Sequence, residues 1–210
     1  MHPMVIIIVL VIELTGALGL PSVHSSDVST VREQLLGHPR SRFPLGIYAE
    51  STPDPALDAS LRDAITQWNQ VFTTSLGLAA FVERDRQVEA DVILRWDSPD
   101  PDEDRMGQTA VDGDPAGVIR LPVMITLIHP KPRGQTSAAQ VLFQVAAHEL
   151  RHALGLPHID DPASIMCCNP GGVNFDDPAV RARYLAARRQ PDIRSVIPQP
   201  VDHYRRLWPD

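Results

Sequence analysis

The chain has 210 residues, 43% of them apolar and 21% charged, which is enough for one domain with its own hydrophobic core. Lys and Arg total 19 against 26 Asp and Glu, so the formal net charge is −7. An acidic chain without a dense basic block argues against nucleic acid as a partner. The two cysteines, Cys167 and Cys168, are adjacent and cannot cross-link distant segments, which excludes a disulfide-stabilised small scaffold.

The N-terminus carries one apolar segment. Residues 4–12 are all apolar, Glu13 interrupts them, and small and apolar residues continue to position 20. A membrane-spanning helix needs about 20 apolar residues and would place Glu13 near its middle, whereas a signal peptide needs fewer. We therefore expect residues 1–25 to be a secretory signal peptide and the mature protein to be secreted or extracytoplasmic. The alternative is an uncleaved N-terminal anchor; without it we expect no stable membrane partner.

The mostly polar residues 26–42 are predicted to form a linker, and residues 43–210 one domain. Apolar residues recur with a 3.6-residue period after Pro55, which predicts a helix with one buried face. Apolar runs and turn residues predict the other elements. The predicted strands are 43–48, 89–96 and 118–128, and the predicted helices are 55–76, a segment from a cap at Thr136 or Ser137 to near Gly155, 178–189 and 200–208.

Residues 148–158 read HELRHALGLPH, which fits the pattern HExxHxxGxxH. His148 and His152 are four residues apart, so on a helix they project from one face and can bind one ion. Glu149 lies beside them, where a carboxylate can reach water at the metal without binding the metal. Gly155 permits a left-handed conformation that ends the helix and returns the chain, so that His158 can be the third ligand. Three histidines and one open position predict a single catalytic Zn²⁺.

These motifs resemble the metzincins, and among them the matrixin-like catalytic domain. Met166, eight residues after His158, resembles the Met-turn of that family. The segments 64–68, 90–94, 145–149 and 200–208 resemble its first helix, its third strand, the start of its active-site helix and its closing helix. The resemblance implies an α+β fold: a twisted, mostly parallel sheet with one antiparallel edge strand, three main helices, the HExxHxxGxxH helix and the Met-turn.

The resemblance also implies a zinc metalloendopeptidase that cleaves an extended peptide or protein substrate. In that reading His148, His152 and His158 bind zinc, and Glu149 activates the zinc-bound water. Residues 106–111 are the candidate edge strand, which would hold substrate through backbone hydrogen bonds, although an ordinary loop is equally compatible with them. Two alternatives stay open: a zinc amidohydrolase with a narrow or non-protein substrate, and a non-catalytic zinc-binding module on the same fold.

Several positions depart from the family pattern. No cysteine precedes the domain, so the thiolate that keeps many matrixins latent is missing, and no histidine between Arg42 and Ile128 could bind a second zinc. Arg151 replaces the usual glycine, which we expect to be harmless. Cys167 and Cys168 follow the Met-turn, where buried inert thiols are expected and a thiolate near zinc is the alternative. An acidic loop could bind Ca²⁺, although a solvated loop is favoured; its aspartates are Asp97, Asp100, Asp102, Asp104, Asp112 and Asp114.

Overall fold

The computed structural model describes residues 6–11, 35–98, 105–132, 136–169, 171–189, 193 and 197–208. Within them lie six strands and four α-helices. The strands are β1 (Ile6–Val11), β2 (Leu45–Ala49), β3 (Phe81–Glu83), β4 (Val92–Asp97), β5 (Arg105–Val111) and β6 (Val123–Ile128). The helices are α1 (Pro55–Leu76), α2 (Ala138–Ala153), α3 (Pro178–Arg189) and α4 (Pro198–Leu207).

The six strands form one sheet in the order β1-β5-β6-β4-β2-β3. The pairs β2–β3, β2–β4 and β4–β6 are parallel, and β5 runs antiparallel to β6. This confirms the predicted α+β class with a mostly parallel sheet and an antiparallel strand at residues 106–111. The outer edge of β5 is paired with β1, which also runs antiparallel to it.

Helices α1 and α2 pack on one face of the sheet and enclose the core. Leu61, Trp68 and Phe72 of α1 are buried in this core, as the 3.6-residue period predicts. The indole Nε1 of Trp68 donates a hydrogen bond of 2.8 Å to the carbonyl oxygen of Ala147. Each described helix matches a predicted one, with α4 beginning at Pro198 rather than at residue 200. Among the described residues, no helix is long and apolar enough to span a membrane.

One predicted strand begins several residues later than expected, and one strand was not predicted. The strand predicted over 118–128 begins only at Val123, because Pro122 has no N–H to donate to the sheet ladder. Val118 and Ile119 instead form single bridges to Gly37 and Gly113. The strand β3 was not predicted, since three residues are too few for a recognisable alternation.

The packed part of the chain begins before the predicted boundary at residue 43. Leu36 and His38 are buried, although the sequence places them in a polar linker. His38 Nε2 lies 2.8 Å from the carbonyl oxygen of Ala153 at the end of α2, so this segment contacts the core through a specific hydrogen bond. The rest of the predicted linker, residues 26–34, lies outside the described residues, as does all of the predicted signal peptide except β1.

Candidate active site

The predicted zinc motif lies on α2, whose start is fixed by its own sequence. The Ser137 side chain accepts a hydrogen bond from the backbone N–H of Gln140, and the Gln140 side chain accepts one from the N–H of Ser137. This capping box satisfies two backbone donors that a helix start otherwise leaves unpaired. Every residue from Val141 to Ala153 is buried, so α2 runs through the interior and brings polar motif residues with it.

The three histidines of the motif converge. The Nε2 atoms of His152 and His158 each lie 3.1 Å from Nε2 of His148. Two nitrogen ligands of one tetrahedral zinc lie about 3.3 Å apart when each Zn–N bond is about 2.05 Å. The observed spacing therefore fits a shared metal ion. Among the described residues, these histidines form the one group of His, Cys, Asp or Glu side chains able to hold a metal.

Backbone carbonyls fix the tautomers of two of these rings. His148 Nδ1 lies 3.2 Å from the carbonyl oxygen of Ile165, and His152 Nδ1 lies 3.2 Å from that of Leu156. Because a carbonyl only accepts, each Nδ1 carries the proton and each Nε2 presents a lone pair. Burial is the main cause that lowers the pKa of all three histidines, so the rings are neutral at pH 7. Lone pairs facing each other at 3.1 Å repel unless a cation lies between them.

The turn after α2 depends on Gly155. Its φ is 76°, in the left-handed region, and a Cβ there would lie 2.4 Å from the carbonyl oxygen of Leu36. Only glycine meets both conditions. This turn reverses the chain and brings His158 to the other two ligands, as the sequence predicts.

Met166 lies in a tight turn beneath this region and is fully buried. The N–H of Ile159 donates to the carbonyl oxygen of Met166 at 3.2 Å, which ties the turn to the segment that carries His158. The preceding residue, Ile165, supplies the carbonyl that orients His148. The turn thus acts on the ligands through its backbone.

Glu149 is fully buried between α2 and β5. Its Oε2 accepts a hydrogen bond of 2.6 Å from the hydroxyl of Thr109, whereas its Oε1 has no hydrogen-bond partner among the described residues. Burial raises the pKa of Glu149 to about 8 and the hydrogen bond from Thr109 opposes that rise; a divalent cation bound at the adjacent histidines would lower the pKa further and favour the ionised carboxylate. One carboxylate oxygen is thus held by a hydrogen bond, and the other is buried and unpaired among the described residues.

Two arginines near the site have surroundings that the sequence did not reveal. Arg188 of α3 donates from Nη1 to the carbonyl oxygen of Ser164 at 3.1 Å and from Nη2 to that of Cys167 at 3.4 Å, so α3 holds the Met-turn.

Arg151 is buried, and its Nε and Nη1 have no partner among the described residues. Burial lowers the pKa of Arg151 to about 9. A buried charge without partners costs free energy, and the expectation that Arg151 is harmless did not include this cost.

The two cysteines after the Met-turn lie side by side. Cys167 is buried, and its sulfur atom is in direct contact with that of Cys168. A contact between adjacent residues contributes nothing to long-range cross-linking, so the exclusion of a disulfide scaffold is unaffected. That the two thiols are free and inert stays a prediction.

The acidic loop gives no support to a calcium site. Asp100, Asp102 and Asp104 lie outside the described residues. Asp114 Oδ1 accepts the N–H groups of Ala116 and Val118, and Asp112 pairs with Arg120 at 3.3 Å. Both carboxylates are thus engaged within the loop.

Comparison with known proteins agrees with this geometry. No individual curated protein matches the sequence. The family model described as matrixin matches residues 40–174, well over half of the chain, and this span runs from the segment before β2 through the Met-turn. Matrixins are zinc metallopeptidases, and the histidine cluster found here is of the kind that the family requires. On the strength of this match over most of its folded part, the chain belongs to the matrixin family.

Proposed function

We propose that this protein is an endopeptidase that uses one zinc ion to hydrolyse bonds within extended polypeptide segments. The convergence of His148, His152 and His158 carries the proposal. Glu149 follows His148 directly on the same helix, and one of its carboxylate oxygens has no partner among the described residues. A zinc ion held there supplies a Lewis acid that acidifies water and polarises the scissile carbonyl. The family membership supports a protein or peptide as substrate.

The residues of this chain then have separate tasks. Glu149 Oε1 takes a proton from the attacking water and later delivers it to the nitrogen of the leaving amine. Ile165 and Leu156 keep the histidine rings oriented through their carbonyl groups. Burial of the helix keeps bulk water away from the base.

The outer edge of β5 is the proposed substrate-binding strand. It pairs antiparallel with β1 in the present structure, with Ile8 opposite Thr109 and Ile6 opposite Val111. An extended apolar segment is therefore compatible with this edge, and a substrate would use the same backbone hydrogen bonds. The segment that occupies the edge here belongs to residues 1–25, whose removal would leave it open.

Replacement of the base tests the reaction. Zinc-loaded wild-type protein should cleave a denatured protein into fragments identifiable by mass spectrometry. Glu149→Gln should keep one zinc per chain and lose about 10³-fold in kcat, because the amide cannot take a proton. The exposed Glu89→Gln is the matched control and should retain full activity.

Two results would redirect the proposal. Wild-type activity in Glu149→Gln would show that another group is the base. A zinc-loaded wild-type protein that cleaves no peptide in a broad library, but hydrolyses small amides, would indicate an amidohydrolase; one that hydrolyses neither would indicate a binding module.

We also propose that residues 1–25 direct export and are then cleaved, so that the active protein is extracytoplasmic. The apolar run at residues 4–12 supports this. N-terminal sequencing of protein expressed with an intact secretion system tests it: a mature N-terminus near residue 26 is expected. A membrane-bound product that still begins at residue 1 would instead support an uncleaved anchor.

A further inference from the structure

The inward face of β5 contacts the proposed base at two positions. Gly107 and Thr109 are two residues apart on the strand, so both face α2. Thr109 is fully buried, and its Oγ1 lies 2.6 Å from Glu149 Oε2 and 3.0 Å from the Glu149 carbonyl oxygen. The shorter of the two contacts is the one to the carboxylate, and the strand therefore holds the base by a side-chain hydrogen bond.

Gly107 supplies the space that the same carboxylate occupies. A Cβ at this position would lie 2.9 Å from Glu149 Cγ, 3.1 Å from Glu149 Oε1 and 2.7 Å from Val145 Cγ1. A side chain there would have to displace either the base or Val145, both on the buried helix. The Glu149 side chain is thus confined by Thr109 on one oxygen and by the bare backbone of Gly107 beside the other.

We propose that β5 positions the general base, with Thr109 as the residue that fixes the Glu149 carboxylate and Gly107 as the residue that admits it. This inference rests on the proposed peptidase function. It adds a second role to β5, whose outer edge binds the extended substrate while its inward face orients the group that acts on that substrate.

The register of the sheet connects these two roles. Ile8 of β1, on the outer edge, is paired with Thr109 itself. An extended chain bound at this edge therefore passes beside the residue that holds the base. A strand carrying both contacts keeps the distance between substrate backbone and carboxylate fixed, and misplacement of a reacting group by about 1 Å can cost about 100-fold in rate.

Removal of the hydroxyl with little change of shape tests the role of Thr109. Thr109→Val should lower kcat about 10- to 100-fold, with KM within about twofold of wild type, because the substrate edge is unchanged and the base is loose. Thr109→Ser keeps the hydroxyl and should restore kcat to within about threefold of wild type. Thr126→Val on β6 is the matched control; Thr126 is paired with Gln108, on the opposite face of the sheet, and its substitution should leave kcat unchanged.

Readouts other than turnover separate positioning from metal loss and from misfolding. Zinc content and the thermal midpoint of Thr109→Val should stay close to those of Thr126→Val. Crystal structures should show the Glu149 carboxylate displaced or in several rotamers in Thr109→Val and in Gly107→Ala, and ordered in Thr126→Val. Wild-type kcat in Thr109→Val, loss of zinc in parallel with kcat, or equal losses in the Val and Ser variants would each overturn the proposal.

The crystal structures of the variants test the inference independently of whether the protein is a peptidase. Should wild-type protein cleave no peptide, the proposed function fails, yet the position of the Glu149 carboxylate in the crystals still decides whether Thr109 holds it. An ordered, wild-type carboxylate in Thr109→Val would reject the inference even in an active enzyme.

Discussion

The helices on the two sides of the Met-turn differ in what holds them. All residues of α2 from Val141 onward are buried, and α2 carries two proposed zinc ligands and the base. The helix α3 follows the turn and has no buried residue; it is attached to the site through Arg188 and through Gln144, which donates to the Arg188 carbonyl oxygen. The proposed reactive residues therefore lie on α2, whose position is fixed by core packing, and α3 contacts this region from the surface.

Substitution of a ligand on α2 should have the largest effect. His152→Ala removes one of three zinc ligands, so we expect loss of bound zinc at micromolar free metal and a fall of more than about 10³-fold in kcat/KM. His129→Ala is the matched control, since that ring stacks on Trp96 and lies outside the cluster. Zinc content by elemental analysis and peptide cleavage on the same preparation measure both effects. Full zinc occupancy in His152→Ala would show that this ring is not a ligand.

Leucine truncation in each helix compares their contributions to stability. Leu142 of α2 is 1% exposed, whereas Leu185 of α3 is 41% exposed. Leu142→Ala leaves a cavity in the core and should lower the free energy of unfolding by about 2–5 kcal/mol. Leu185→Ala should change it by less than about 0.5 kcal/mol. Urea denaturation of the zinc-loaded proteins measures both, and equal losses would contradict the contrast in burial.

The sequence predicted the elements whose signals are local. The period of α1, the N-cap predicted at Thr136 or Ser137 and the left-handed turn at Gly155 each act within a few residues, so each is readable without the fold. The histidine spacing is local in the same sense, and the structure brings the three predicted ligands together.

What the sequence could not predict depends on contacts between distant segments. Thr109 meets Glu149 across 40 positions, and Arg188 meets Ser164 across 24. Arg151 faces the interior although charged residues are usually exposed. Gly107 and Thr109 share one face of β5 because side chains alternate along a strand, but only the packing of β5 on α2 shows what that face touches.

The pH dependence of stability should reveal how the C-terminal end of α2 is held. His38 and His203 are buried, and desolvation is the main cause that lowers the pKa of each to about 4. Nδ1 of His38 has no partner among the described residues, so its protonation would bury an unpaired N–H. The unfolded chain binds protons at about pH 6.5 and the folded chain only near pH 4. Stability should therefore fall as the pH is lowered from about 6.5 to about 4, by up to about 3 kcal/mol per histidine.

His38→Gln isolates this effect from the zinc ligands. The glutamine amide can still donate to the Ala153 carbonyl oxygen but does not titrate. Since the ligands titrate in both proteins, they cancel in the difference between wild type and variant. That difference should shift in favour of the variant by about 2 kcal/mol between pH 7 and pH 5 in urea denaturation series. A difference independent of pH would contradict a buried neutral His38.

The smallest effect should come from the surface helix α3, through the Arg188 side chain that contacts the Met-turn. Arg188→Met keeps an aliphatic stem beside Tyr184 but removes the hydrogen bonds to the carbonyl groups of Ser164 and Cys167. We expect a loss of about 1–2 kcal/mol in unfolding free energy, as for two partly exposed hydrogen bonds from a charged group. The exposed neighbour Arg189→Met is the control and should lose less than about 0.5 kcal/mol. Equal values for the two variants would mean that α3 lies beside the Met-turn without stabilising it, and that α2 and the core hold the site alone.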